Sequence, residues 1–344
     1  MTRAPGRAPQ DDRPPPVLPP GGGLLLVDKP PGCTSHDVVG RLRKVLRTKR
    51  IGHAGTLDPM ATGLLVLAVD RSTKLLGHLA LTDKTYLGTI RLGQQTDTDD
   101  ADGAVIATGA VGSVTDDEIQ AGVAALTGPL LQVPSSVSAI KVGGRRAYDR
   151  VRAGETVELA ARAVTVSRFD IVGPPRHVGG EQGPFIDLDV EVDCTTGTYI
   201  RSLARDLGAS LGVGGHLIGL RRTRVGPFDV RAAVDVFGVD GEPPAPYLDG
   251  QPTPPRGGPP RPPVTASFAA AIADAVIPAA VAVRSAFPVR SVDARQAIDL
   301  AHGRTIDAVG LPGTYGAFDP AGALVALVVE RGGISRSVLG WQVG

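Results

Sequence analysis

The chain is short of aromatic residues: seven Phe, five Tyr and one Trp make up 4% of its 344 residues. Aliphatic side chains must therefore build any core, and a hydrophobic content of 42% is enough for one. A chain of this length suggests one large domain with a small one, or two domains. Cysteine is scarcer still. Cys33 and Cys194 are the only two, with no Cys-x-x-Cys pair, which excludes a zinc site of the usual four-ligand kind; two reduced thiols are expected. No apolar run approaches the ~20 residues that cross a bilayer. Residues 1–23 are mostly Pro, Gly, Arg and Asp, without the apolar segment of a signal peptide. A cytoplasmic protein with no membrane partner is therefore expected. Neither sign of charge is in excess: 36 basic against 35 acidic residues leave +1. That excludes a uniformly basic polyanion binder but leaves room for local patches. No P-loop, dinucleotide fingerprint, His-Glu-x-x-His or Gly-x-Ser-x-Gly occurs in a fitting context.

One shortage is local. Between Asp37 and Asp70 the chain has a single acid, Asp58, in the glycine-rich run Gly52-His53-Ala54-Gly55-Thr56-Leu57-Asp58-Pro59-Met60-Ala61-Thr62-Gly63. Arg41, Arg43, Lys44, Arg47, Lys49 and Arg50 precede it. A lone carboxylate set among glycines after a basic helix suggests a nucleophile presented to a nucleic acid. Asp-Pro is also a common turn dipeptide whose side chain bonds its own backbone. Three features favour the chemical reading. Gly52, Gly55 and Gly63 let the backbone approach a ligand, Pro59 stiffens the loop, and no second carboxylate lies nearby as a usual glycosidase needs.

The rest of the chain falls into five stretches. Residues 1–22 have the composition of a disordered tail. A main domain spans 23–240. It includes a buried strand from Leu24, a helix opened by a Thr34–Asp37 capping box, and the buried strand Gly63–Val69. Val38, Val39, Leu42, Val45 and Leu46 form that helix's apolar face, with Arg41, Arg43, Lys44 and Arg47 mostly off it, as a solvated surface or a phosphate contact. Tyr86, Gly88, Ile90 and Leu92 alternate on one strand face, Thr115–Glu118 caps a second helix, and Ile186–Asp193 alternates as a half-exposed strand. Gly173–Pro184 reads as an enlarged loop. A proline-rich linker covers 241–265. A helical pattern runs from about Ala266 to Ala286 in a connecting segment, 266–287. A small domain, 288–344, carries a helix at Ala294–Ala301, strands to Phe318, Ala323–Val329 and Val338–Val343, and Gly-rich turns, which suggests a small β-barrel. The acidic loop Asp97–Gly103 lacks the bidentate acid of an EF-hand, so calcium is rejected; no metal or cofactor is expected.

If Asp58 works alone it must stay ionised, which calls for a cation. Arg201, at a strand-to-helix junction where the helix dipole disfavours it, is the candidate, because a guanidinium can hold a carboxylate through two parallel bonds. Tyr86 and Tyr199 fit either packing or stacking on an extracted base. His53 fits either a wedge into nucleic acid or a loop cap.

The run around Asp58 closely resembles the catalytic motif of the TruB family of bacterial tRNA pseudouridine synthases. Further matches follow in order: Leu26–Pro30, Lys84–Tyr86, Leu92–Asp99, Val133–Lys141, Gly197–Leu203 and Gly215–Arg222. The resemblance covers roughly residues 24–230. It implies an α+β pseudouridine-synthase fold with a mixed, mainly antiparallel sheet flanked by helices, plus a C-terminal PUA-like domain. It also implies isomerisation of uridine to pseudouridine in the T-loop, at tRNA position 55, without cofactor or metal. Asp58 takes the nucleophile position, Tyr86 that of the tyrosine stacked on the flipped base, and Arg201 that of the arginine paired with the aspartate. His53, Tyr199, Leu220 and Lys29 take substrate-contacting positions, His53 as the wedge that fills the space the base leaves. The tRNA elbow is the implied partner, and a monomer is expected. A protein that binds and refolds the tRNA elbow without chemistry is the alternative.

Overall fold

The computed structural model describes residues 13–80, 82–135, 141–142, 145–146, 159–180, 183–237 and 262–341. Its main domain is built on an eleven-stranded sheet. The order is β15 (Ile277–Pro278), β1 (Gly23–Lys29), β3 (Thr62–Val69), β13 (Gly215–Val225), β4 (Lys84–Leu92), β12 (Gly183–Cys194), β10 (Arg162–Ile171) and β7 (Gly128–Gln132). Three short strands attach to it: β2 (Ile51–His53) to β3, β11 (Arg176–Gly180) to β12, and β14 (Phe228–Asp229) to β13. β3 and β13 pair in parallel, whereas the other ladders of this sheet run antiparallel. Two small hairpins stand apart, β5 (Gln94–Thr96) with β6 (Val105–Thr108), and β8 (Lys141–Val142) with β9 (Arg145–Arg146).

β1 and β3 are buried along their whole length, and their sequences are correspondingly apolar runs. One face (Leu25, Val27, Leu65, Leu67) meets helices α1 (Ser35–Val45) and α5 (Ala266–Asp274). The other (Leu24, Leu26, Leu64, Val66) meets α6 (Ala279–Ala286), the short α2 (Leu76–Leu79) and the C-terminal domain. β4 and β12 alternate instead. Tyr86, Ile90, Leu92, Leu188, Val190 and Val192 pack under α3 (Asp116–Ala125) and α4 (Ile200–Ser210). The opposite face carries Arg91, Thr89, Asp187 and Asp189, tied by cross-strand hydrogen bonds and ion pairs. The mixed, mainly antiparallel sheet with flanking helices is the expected fold class.

Capping boxes start α1 at Thr34 and α3 at Thr115, as their sequences indicate. Both cysteines are free and buried. In the C-terminal domain five strands, β16 (Val289–Ser291), β18 (Thr314–Phe318), β19 (Leu324–Arg331), β20 (Ile334–Gly340) and β17 (Ile306–Asp307), form a second sheet that curls into a half-barrel beside α7 (Ala294–Ala301).

Several expectations are corrected. Arg41 is not a solvated or phosphate-facing cation: it is 4% exposed, donates to the carbonyls of Val236 and Pro262, and stacks over Phe268. The helical pattern over 266–286 is two helices, because Pro278 cannot continue the first and its backbone joins the sheet edge beside Gly23. The enlarged loop near Gly173–Pro184 is largely strand, with β11 paired to the start of β12. The last strand begins at Ile334, four residues before the expected Val338. Of the expected tail, residues 13–22 make contacts with the domain: Arg13 reaches the Thr265 carbonyl and Leu18 joins the core beside α1, while Val17 stays exposed. Residues 1–12, and the linker as far as residue 261, lie outside the described residues.

Candidate active site

Asp58 sits on the loop between β2 and β3, and that loop is bolted down on both sides of the carboxylate. Ser35 at the start of α1 makes two bonds to Leu57: its Oγ accepts from the Leu57 amide at 2.9 Å and donates to the Leu57 carbonyl at 3.2 Å. Arg222 on β13 donates to the carbonyls of Gly55, Thr56 and Leu64. Lys29 spends its ammonium on the carbonyls of Pro30, Cys33 and Pro59 at 2.7–3.2 Å. Gly55 adopts φ +90°, a left-handed conformation that suits glycine. Gly63 must be glycine for a second reason: a Cβ there would collide with the Arg222 carbonyl across the parallel β3–β13 joint.

A buried guanidinium meets the carboxylate. Arg201, in the first turn of α4, is 4% exposed, whereas Asp58 is 36% exposed. Nε lies 3.0 Å from Oδ2 and Nη2 donates to Oδ1 at 3.1 Å, a two-point pairing. The third nitrogen, Nη1, reaches the Thr98 carbonyl at 2.9 Å, Ser135 Oγ at 3.3 Å and Asp100 Oδ2 at 3.3 Å. Arg201 thus bridges the Asp58 loop to the acidic loop after β5. One turn on, Arg205 holds Asp99 at 3.2 Å. Asp99 takes φ +59°, which Asp tolerates better than most residues, and this turn offers consecutive carboxylates to one helix. Burial pushes the Asp100 carboxyl up to about 6, with Arg201 pulling it back. The same helix position that looked unfavourable for a cation is therefore used for tertiary pairing.

These groups open on a cavity of about 240 Å³ lined by Asp58, Lys84, Tyr86, Tyr199, Arg201, Leu220 and Arg222, with the backbone of Gly55–Leu57 and Thr195–Thr198. Tyr86 projects from β4 opposite Arg222. Burial raises the phenol's pKa, so the ring enters as a neutral donor. Tyr199 caps α4 at the rim, its backbone clamped by the Gln132 amide at 2.7 and 3.0 Å.

The structure therefore brings Asp58, Tyr86, Arg201, Tyr199 and Leu220 together and leaves two expected residues out. Lys29 is 0% exposed, lies outside the lining, and gives its three donors to carbonyls, so it braces the loop. His53 is half-buried at the end of β2, outside the lining. Burial lowers its pKa, so the imidazole is neutral, and its Nδ1 finds no partner among the described residues. Sequence reasoning missed Asp100, Ser135, Lys84 and Arg222. Lys84 and Arg222 carried a signal: each is a cation at a strand position whose neighbours on the same face are buried. Among the described residues no cluster of His, Cys, Asp and Glu fits a metal ion.

Three family models match along the chain. TruB family pseudouridylate synthase, N-terminal domain, covers residues 43–200. The C-terminal domain of tRNA pseudouridylate synthase B covers 201–239, and tRNA pseudouridine synthase II, C-terminal, covers 287–341. The tRNA pseudouridine synthase B of Nocardia farcinica is 54% identical over 89% of this chain and 89% of its own. That of Rhodococcus jostii is 52% identical over 91% and 92%.

The chain belongs to the TruB family.

Solved structures agree on the fold. A Cbf5–Nop10–Gar1 complex matches with a TM-score of 0.60 at 24% identity, over 93% of this chain and 83% of that one. The archaeal box H/ACA Nop10–Cbf5 complex matches with 0.61 at 24%, over 96% and 93%.

Proposed function

We propose that this chain isomerises uridine to pseudouridine in the T-loop of tRNA, with Asp58 as the group that acts on the sugar or the base. The observation that carries the reading is the two-point pairing of Asp58 with buried Arg201 at a cavity walled by Tyr86, Tyr199 and Leu220. A cavity this small takes one base and excludes a helix, so a stacked uridine must swing out to enter. Aromatic and aliphatic walls suit a flat ring and return part of the unstacking energy. Arg201 aims the carboxylate through two parallel hydrogen bonds. Cleavage of N1–C1′ sends the bonding pair to the base, the base turns, and C5 takes the place of N1 on C1′. Tyr86 is placed to stack on the base, and its neutral hydroxyl to pass a proton. The reaction is an isomerisation with no net change of redox state or charge, so the site needs no cofactor for it. The rigid shape of the T-loop is read by fit and backbone contact.

The test is pseudouridine mapping of a T-arm transcript. The unaltered chain is expected to convert one uridine without change of mass. Asp58→Ala is expected to lose at least 10⁴-fold in rate, as for loss of an essential nucleophile, while still binding tRNA. Turnover by a clean Asp58→Ala preparation would sink the assignment. Release of free uracil would mark a glycosidase instead.

A further inference from the structure

Two cations line the same cavity and have no part in the scheme above. Lys84 stands two residues before Tyr86 on the same face of β4 and is buried. Its Nζ donates to the carbonyls of Ala80 at 3.2 Å and Thr82 at 2.8 Å, two of its three donors among the described residues. Arg222, across the ladder from Tyr86, is 1% exposed and among the described residues donates to backbone carbonyls. Among the described residues neither forms an ion pair with a carboxylate. On the other face of the same two strands Arg91 and Arg224 each have one. Two uncompensated cations side by side in a buried wall are unfavourable unless an anion comes to them.

The anion has to arise inside. Leu220 and Tyr86 give the cavity an apolar side, and the Asp58 carboxylate in its lining repels an incoming phosphate. A neutral base that turns anionic once it is in place meets both conditions.

We propose that Lys84, backed by Arg222, holds the detached pyrimidine as its anion and is thereby a further catalytic residue. The inference rests on the uridine-isomerisation reading above. N1–C1′ breaks heterolytically and both electrons pass to N1, spreading over the ring to O2 and O4. C1′ is left electron-poor and is met by Asp58, either directly or through loss of a neighbouring C–H proton to it. The turned anion then bonds through C5 to C1′, displacing the Asp58 carboxylate on the first route or with return of the Asp58 proton to the sugar carbon on the second; the C5 hydrogen leaves as a proton, and N1 takes one up. Charge on the base is greatest between the two bond events, so a fixed ammonium lowers that part of the path most.

Lys84 also titrates where this is measurable. Burial first, then Arg222, lowers its pKa to about 8. The groups facing it are Arg222 on β13, Cys194 on β12, whose thiol burial pushes up to about 11, and Asp83 just before β4. The raised phenol of Tyr86 and the Cys194 thiol stay protonated in this range. The ammonium is lost as pH rises through about 8, so the rate constant should fall there.

The experiment is single-turnover conversion of a T-arm transcript from pH 7 to 9 by the full chain, Lys84→Met and Lys84→Arg, with tRNA affinity measured alongside. Lys84→Met is expected to be roughly 10- to 100-fold slower at pH 7, to bind tRNA within about twofold, and to lose the fall above pH 8. Lys84→Arg is expected to recover most of the rate and to stay flat to pH 9. The idea is overturned by Lys84→Met at parental rate, by a loss matched in tRNA affinity, or by a flat profile for the unaltered chain. If Lys84→Met does not fold, that last profile decides. An unaltered chain that forms no pseudouridine would overturn the isomerase reading first, before any variant is made.

Discussion

Arg201 and Arg222 line one cavity, are equally hidden from water, and have opposite partners. Arg201 meets two carboxylates, Asp58 and Asp100, and one backbone carbonyl. Arg222 meets three backbone carbonyls. The first pairing touches groups that react or titrate; the second touches the chain itself. Burial of a charge is thus used in two ways here, to set the state of an acid and to hold the loop that carries it. The contrast predicts which property each substitution damages.

The largest effect should be on stability at Arg222. Arg222→Met leaves three buried carbonyls without this donor, at about 1–3 kcal/mol each, so a loss of roughly 3–9 kcal/mol is expected in urea unfolding. An unchanged midpoint would show that these bonds do not brace the loop. Next comes Arg201→Lys, which keeps the charge and loses the two-point geometry. Its kcat should fall about 10²–10³-fold, the scale of one lost transition-state contact, with KM near parental. A Lys variant equal to Arg would reduce the pairing to simple charge. The smallest effect concerns Asp100. Its carboxyl titrates at about 6 when folded against 3.8 for the ordinary group, so the folded chain holds the proton more tightly. Its stabilising contribution is present below pH 3.8 and is lost as pH rises through about 6. Asp100→Asn should flatten the stability profile across that window by roughly 1–3 kcal/mol. A profile as steep as the parent's would assign the slope to another group.

Local rules made much of this visible in the sequence. The Thr34 and Thr115 boxes and the Tyr86–Leu92 alternation follow from bonds and spacings within a few residues, and the structure reproduces them. The Asp58–Arg201 pairing was legible for a different reason: a lone acid needs a cation, and Arg201 stood where local electrostatics gave it no purpose. What escaped depends on segments distant in sequence. Arg41 lies off the apolar stripe of α1, yet chain near Val236 and Pro262 folds over it. Asp100 belongs to a run that reads as a solvated acidic loop until α4 supplies Arg201 and Arg205. Gly179, Gly180 and Gly183 suggest a loop, although β12 gives that backbone a ladder to join. Lys29 takes a substrate-contacting position by resemblance, and only the folded placement of the Pro30, Cys33 and Pro59 carbonyls shows its ammonium to be a brace.

The two-sided burial of β1 and β3 bears on how the molecule is made. Leu24 and Leu26 are covered in part by Phe318, Leu324, Leu327 and Trp341 of the C-terminal domain. A ribosome releases the first of these residues long before the last. Throughout that interval the nascent strands carry an uncovered apolar face, the kind of surface on which chains aggregate. Completion of the main sheet thus waits on the half-barrel, and the two cannot mature as independent bodies. Truncation before residue 287 should therefore cost solubility before it costs any contact with RNA.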